Sequence, residues 1–299
     1  MGKRGVDAVL AKRASDRQRA SSLACGLGVP VCLDPDELGP ETTLLVVGAE
    51  GLSLEWDGMV LRGDFSRMAR RLRPSRLSHE LLVRAARVRG HRQVAPSRGE
   101  TPEPSSRIGA GSRVPWAIDA TAGMGEDSLL LAAAGFSVDL YERDPVIAAL
   151  LRDALERAAE DPLLAGAIGR MRLHEEDSVP VLEGLACTGP SVGRGPGGPT
   201  LSPPDVVFLD PMFPTRQKSA SAKKKLRMIQ RLEEPCDAEG RLVGAALAAG
   251  PRKVVVKRPL KGPCLGGVKP AYALAGKAVR YDCLIPASMR YDLHNISSK

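Results

Sequence analysis

The stretch Val114-Pro115-Trp116-Ala117-Ile118-Asp119-Ala120-Thr121-Ala122-Gly123-Met124-Gly125-Glu126-Asp127 decides the fold. Val114–Ile118 is a short apolar run of strand length, residues 125–134 read as a helix, and two glycines stand at the junction. Glycine tolerates unusual backbone angles and removes the Cβ atoms that would hold a ligand away from the chain. The third glycine of a G-x-G-x-x-G dinucleotide fingerprint is missing, because Ser128 stands in its place. Asp119 and Asp127 put carboxylates around the turn. They would repel a pyrophosphate and favour a ligand with a cationic amino-acid tail. Without a ligand, the same residues make a tight strand–helix turn.

Outward from this turn, strand and helix alternate. Ser137–Tyr141 reads as a strand, 145–159 as a helix, Met171–His174 and Val206–Leu209 as strands, 221–233 and 238–249 as helices, and Lys253–Val256 as a strand. Such alternation predicts a mostly parallel sheet covered by helices on both faces, with ligands at the carboxyl ends of its strands. Upstream, residues 4–26 read as an Ala- and Arg-rich helix stopped by Gly26-Leu-Gly28. Val29–Leu33, Thr42–Val47, Leu52–Trp56 and Met59–Leu61 read as a small meander, and Ser78 as the N-cap of a helix through Val88. Residues 91–113 and 188–204 are rich in Pro, Ser and Gly and read as a linker and an insertion. The expected organisation is an α+β subdomain over 1–90, a linker over 91–113 and a Rossmann-like α/β domain over 114–299.

Two strand ends carry the chemistry. Glu142-Arg143 ends the second strand, 17 residues after Gly125. A carboxylate there can accept from both hydroxyls of a ribose, whatever the nucleoside. Asp177-Ser178 follows the third strand, where one side chain can read an adenine amino group or simply cap a helix. The run Asp210-Pro211-Met212-Phe213-Pro214 follows Val206–Leu209. An acid and a backbone carbonyl at a strand mouth accept the hydrogens of a planar amino group, and the phenyl ring stacks on its face. The bland reading is a proline-rich turn after a buried strand.

A basic run follows: Arg216, Lys218, Lys223, Lys224, Lys225 and Arg227 are six cations in twelve residues. Beside an acceptor pocket such a run holds a phosphate backbone without reading its sequence. Arg67, Arg70, Arg71, Arg73 and Arg76, and the trio Lys253, Lys257 and Arg258, extend the same expectation. The formal charge of +8 agrees with a polyanionic partner, while 3% aromatic residues argue against base-stacking platforms. None of the six cysteines forms a C-x-x-C pair and the four histidines lack ligand spacing, so no metal is expected. No apolar run reaches the roughly 20 residues that span a bilayer. Met1-Gly-Lys-Arg lacks the apolar core of a secretory signal, so a soluble cytoplasmic protein is expected. Nothing in the sequence fixes an oligomeric state.

With these motifs quoted, the chain is similar to the class I S-adenosylmethionine-dependent methyltransferases, and it more closely resembles the ribosomal RNA small-subunit methyltransferase J family. The resemblance is carried by Asp119–Asp127, by Tyr141–Leu151, by Val207-Phe-Leu-Asp-Pro-Met-Phe-Pro214 with Gln217-Lys218-Ser219, and by Val254-Val-Val-Lys-Arg-Pro259. It covers roughly residues 115–285. It implies methylation of the exocyclic N2 of one guanosine in 16S ribosomal RNA, with S-adenosylmethionine as donor and the rRNA or the small ribosomal subunit as partner. It further implies that the donor is held by Glu126-Asp127, Glu142-Arg143, Asp177-Ser178 and Asp210. Glu126 stands where an arginine is usual in that family, and Asp177 where a small hydroxyl residue is usual. An amino-methyltransferase for adenine N6 and a non-catalytic RNA-binding assembly factor are the alternatives.

Overall fold

The computed structural model describes residues 5–32, 34, 39, 42–88, 114–187, 203–211 and 239–286. Two sheets organise them. The amino-terminal sheet contains β1 (Ala8–Ala11), β2 (Val31–Cys32), β3 (Leu44–Gly48), β4 (Gly51–Trp56) and β5 (Met59–Leu61), in the order β2-β1-β3-β4-β5. β3, β4 and β5 form the expected antiparallel meander. β1, however, lies inside residues expected to be helical, and it pairs parallel with both β2 and β3. All four of its residues are buried, as a central strand requires. A four-residue apolar run cannot be separated from a helical segment by periodicity alone. The helix itself, α1, spans Arg17–Leu27 and ends at Gly28, whose φ of 66° is the left-handed C-cap geometry.

Residues 74–86 also differ from expectation. Pro74 opens a single turn, α2 (Pro74–Leu77), and Ser78 closes it instead of capping a longer helix. α3 then spans Leu81–Ala86 with Glu80 at its N-cap. The Glu80 carboxylate is occupied by a two-pronged bond from Arg71, with both N–O distances 2.8 Å.

The second sheet has seven strands: β6 (Trp116–Asp119), β7 (Ser137–Tyr141), β8 (Met171–His174), β9 (Val206–Leu209), β10 (Lys253–Pro259), β11 (Tyr272–Ala275) and β12 (Val279–Leu284). Their order is β11-β12-β10-β9-β6-β7-β8. The five strands from β10 to β8 run parallel, and β12 and β11 add two antiparallel strands at one edge. This is the mostly parallel, Rossmann-like sheet that the alternation predicts. β11 and β12 lie beyond the predicted strands, and β10 extends past Val256. Val206–Leu209 and Val254–Val256 are all buried, as expected of strands covered on both faces. The helices are α4 (Glu126–Ala133), α5 (Pro145–Ala159), α6 (Ala165–Ile168), α7 (Ser178–Cys187) and α8 (Glu239–Ala248).

Helix α5 joins the two sheets. Asp144 caps it by accepting from the backbone N–H groups of Val146 and Ile147, and Pro145 occupies the first helical position. Leu151, Ala154 and Ala158 pack into the core of the large sheet. Val146, Ile147, Ala149 and Leu150 pack instead against Val9, Leu45, Leu52, Leu54 and Leu61 of the small one. Each buried aliphatic side chain contributes about 1.5–3 kcal/mol. Polar ties reinforce the seam. The buried Asp153 carboxylate accepts from Arg19 at 2.7 Å and Arg157 at 2.8 Å, and Arg157 also donates to the Gly63 carbonyl at 2.6 Å. Lys253, expected on a basic surface, is buried and donates to the carbonyls of Ala85 and Arg87 at the end of α3. A cation placed there satisfies carbonyls that the helix leaves open. The expected linker, most of the expected insertion and the helix expected over 221–233 lie outside the described residues.

Candidate active site

The carboxyl ends of β6, β7 and β9 meet around one cavity of about 420 Å³. The three strand ends are tied together by their own backbones. The Ala120 N–H donates to the Phe208 carbonyl and the Ala122 N–H to the Tyr141 carbonyl, both at 3.0 Å. The Asp210 N–H donates to the Thr121 hydroxyl at 2.7 Å. The glycine turn and Asp210 are therefore parts of one assembly. Thr121 has no signature in the sequence that marks it as the residue joining them.

Asp119, at the tip of β6, is fully buried. Its carboxylate accepts from the Thr121 N–H at 3.1 Å and from the Ser128 hydroxyl. Burial pushes its pKa up to about 7, with the Ser128 and Thr121 bonds opposing. Ser128, which breaks the dinucleotide pattern, thus serves to hold Asp119. This arrangement has a measurable consequence. An unfolded aspartate ionises near pH 3.8, whereas the folded one holds its proton to about pH 7, so the protein loses stability as pH rises between those values. Asp119→Asn is expected to gain stability over the parent by on the order of 1 kcal/mol per pH unit across that window, and to keep a constant lead above it. Urea melts of the two proteins through the window check this; a gap independent of pH contradicts it.

Gly123 and Gly125 both adopt left-handed backbones, with φ of 54° and 74°. A Cβ on Gly123 would meet nothing within 4 Å, which leaves its backbone open for a ligand to approach. A Cβ on Gly125 would lie 2.7 Å from Leu151 and 3.2 Å from Phe65. Both glycines line the cavity, and Gly125 in addition serves packing.

Glu142, at the tip of β7, is buried, and burial raises its pKa. One carboxylate oxygen accepts from the Gly123 N–H at 2.9 Å and the other from the Asp144 N–H at 2.8 Å. Each carboxylate oxygen accepts more than one hydrogen bond, so the group is oriented by the backbone and still able to accept from a ribose. Arg143 and Glu126 are exposed at the rim, and Asp127 is half-buried. Asp177 is exposed and accepts from the Val179 N–H at 2.9 Å, the capping role of the bland reading. Ser178 is buried, and its hydroxyl donates to the Ala120 carbonyl at 2.8 Å. It braces the strand end while lining the cavity, and its oxygen can still accept from a ligand. Tyr141 and Arg241 also line the cavity, neither of them marked in the sequence. Tyr141 stacks on His174 with ring centroids 4.6 Å apart, and Arg241 grips Glu183 through two 2.9 Å bonds between α8 and α7.

Asp210 and Pro211 line the same cavity. Lys257 reaches in from β10 and lies 2.9 Å from Asp210 and 2.5 Å from Asp127. It is consumed by these two ion pairs and is not a surface cation for RNA. Arg258 also departs from that expectation: it is fully buried and donates to the Pro263 carbonyl at 2.8 Å. Phe213, Arg216, Lys218, Lys223, Lys224 and Lys225 lie outside the described residues. Arg67, Arg70, Arg73 and Arg76 are exposed, whereas Arg71 is held by Glu80. Among the described residues no group of His, Cys, Asp and Glu is placed to hold a metal, and no helix is long and apolar enough to cross a membrane.

A Rossmann-like sheet, a glycine turn without pyrophosphate character and an oriented acid at the next strand tip define a class I S-adenosylmethionine-dependent methyltransferase. The family model described as "Putative SAM-dependent methyltransferase" matches residues 85–286. A crystal structure of a SAM-dependent methyltransferase from Neisseria gonorrhoeae is 26% identical, covers 93% of this chain and 96% of its own, and superposes with a TM-score of 0.63. Ribosomal RNA small subunit methyltransferase J of Stutzerimonas stutzeri is 38% identical over 249 residues, 83% of this chain and 85% of that protein. Its counterpart from Pseudomonas savastanoi pv. phaseolicola is 43% identical over 169 residues, and this chain spans only 57% of that relative's length. The chain belongs to the ribosomal RNA small subunit methyltransferase J family, and the donor of its class is S-adenosylmethionine.

Proposed function

We propose that the protein methylates the exocyclic N2 of a guanosine in 16S ribosomal RNA, as free rRNA or within the small subunit. The observation that carries this reading is the placement of Asp210 beside the glycine turn, joined through Thr121 and facing one cavity. The family relatives, named for ribosomal RNA of the small subunit, support the substrate class. S-adenosylmethionine supplies an electrophilic sulfonium methyl when bound. Gly123, Glu142 and Asp127 hold the donor, with Asp119 bracing the turn beneath it and Glu126, Arg143 and Asp177 at the rim.

The amine of guanine is a weak nucleophile, because its lone pair is delocalised into the ring. The base leaves its stack to enter the cavity. The Asp210 carboxylate and the Pro211 carbonyl accept its two N–H bonds and aim the lone pair at the methyl, and Phe213 borders the ring. Most of the acceleration comes from this positioning. The N-methylated ammonium is strongly acidic and loses its proton once formed, so a strong base is unnecessary.

The exposed arginines between Arg67 and Arg76 and the cations between Arg216 and Lys225 grip the phosphate backbone. In this reading residues 1–90 form an RNA-facing subdomain and residues 114–299 the transferase domain. The substrate places the reaction in the cytoplasm.

Nucleoside analysis of 16S rRNA from a strain lacking the gene tests the assignment. One N2-methylguanosine is expected to disappear and to return with the gene. Loss of an N6-methyladenosine instead supports methylation of adenine. An unchanged nucleoside profile, together with calorimetry showing no binding of S-adenosylmethionine, supports an assembly factor.

A further inference from the structure

Resting on that reading, we propose that Lys257 is a positioning residue that locks the orientation and charge of the acceptor carboxylate Asp210. Lys257 enters from β10, Asp127 from the first turn of α4 and Asp210 from the end of β9, so the contact joins three elements. Its ammonium lies 2.9 Å from one Asp210 oxygen, Oδ2, and 2.5 Å from Asp127. Lys257 pins Oδ2 and leaves Oδ1 for the incoming amine. Asp127 on the other side fixes where the ammonium can sit. A free lysine tail with four rotatable bonds would give no such definition. The residue is three-quarters buried, so this geometry is not screened like a surface pair.

The electrostatics point the same way. Burial raises the Asp210 pKa, Lys257 opposes the rise, and Asp127 adds to it. Burial also works against the Lys257 charge, but the two carboxylates outweigh it and hold the ammonium protonated. The other charged or titratable groups acting on this cluster are Arg258 from β10, Asp119 from β6, Tyr281 from β12 and Arg71 from the turn before α2. Asp210 accepts the amine hydrogen most strongly when its carboxyl is ionised. Without Lys257 its pKa rises further, and the acidic limb of the rate moves to higher pH. Without Asp127 a repelling charge disappears, and the limb moves to lower pH.

The test is single-turnover methyl transfer at saturating S-adenosylmethionine, using small subunits that lack the modification. Rates are read across about pH 5 to 9, where the limb reports the pKa of the essential group in the complex. Lys257→Met is expected to move the acidic limb up by about one unit or more, the size expected for loss of an adjacent opposite charge. At the parent's own midpoint this corresponds to a loss of about fivefold or more, growing to about tenfold or more at lower pH and recovering as pH rises. Lys257→Arg restores the limb, and Asp127→Asn shifts it the other way. Lys257→Gln replaces Lys257→Met if the latter melts at a lower temperature.

A limb that stays in place in Lys257→Met and Lys257→Gln, or a loss equal at every pH, overturns the proposal. Carbon-13 NMR titration of the Asp210 carboxyl in the same proteins reads the same shifts without RNA. If the parent transfers no methyl to rRNA while that titration shows the opposed shifts, the proposed function fails and the role of Lys257 stands.

Discussion

Replacing Asp210 with alanine is expected to lower single-turnover methyl transfer by two orders of magnitude or more, with donor binding and thermal melting close to those of the parent. The size follows from the role assigned. A carboxylate that holds one N–H bond of a delocalised amine while the Pro211 carbonyl holds the other supplies orientation, and misplacing reacting groups by about 1 Å costs on the order of a hundredfold. The fold should tolerate the change for reasons visible in the site. About a third of the Asp210 side chain is open to the cavity, and burial makes its charge unfavourable in the folded state. Lys257, left behind, retains Asp127 at 2.5 Å, so no buried cation is stranded. The Asp210 N–H to Thr121 bond uses the backbone and survives the substitution. Tritium transfer from labelled S-adenosylmethionine to small subunits, with calorimetry and melting on the same preparation, measures all three quantities. Activity within about threefold of the parent removes Asp210 from the acceptor role, and a collapsed melting curve removes the claim that the residue is dispensable for folding.

The second large effect concerns Gly125→Val. Its φ of 74° lies in the left-handed region, where an L-residue costs about 1–2 kcal/mol and a β-branched one more. The new Cβ would lie 2.7 Å from the Leu151 side chain and 3.2 Å from the Phe65 ring, and both of those residues are themselves fully enclosed. Forcing methyl groups into such a place costs about 1–3 kcal/mol. Together these give a loss of about 3–5 kcal/mol, or roughly 10 °C in melting temperature for a protein of this size. Gly123→Ala is the internal control. Its φ of 54° carries similar strain, but nothing lies within 4 Å of the added atom, so a loss of only about 1 kcal/mol is expected. Differential scanning calorimetry of both variants separates the terms. Equal losses at the two positions mean that packing against Leu151 and Phe65 does not matter.

What the sequence disclosed and what it hid follow one physical line. Buried parallel strands appear as unbroken apolar runs, so Val206–Leu209 and Val254–Val256 were legible, and with them the layered α/β plan. The glycine turn and the acid ending β7 were legible because their chemistry is local: a left-handed backbone needs glycine, and a strand-tip carboxylate needs only its place in the chain. β12 was not legible, because Arg280 and Asp282 interrupt its apolar residues. In the structure those two charges grip each other through bonds of 2.8 and 3.1 Å. Lys253, Lys257 and Arg258 misled for the same reason. A charge in a sequence points to solvent until its partners are known, and here they are carbonyls from α3, two carboxylates and the Pro263 carbonyl. Ser178 and Thr121 brace backbone atoms brought together only by the tertiary fold, which no local spacing encodes.

Helix α5 has apolar residues around most of its circumference, one side committed to each sheet. The amino-terminal third of the chain is consequently no removable attachment. Cutting it away would bare Val146, Ile147 and Leu150 as a sticky stripe and remove the Phe65 wall behind Gly125. The small sheet and the methyl-donor cup are therefore built on shared masonry.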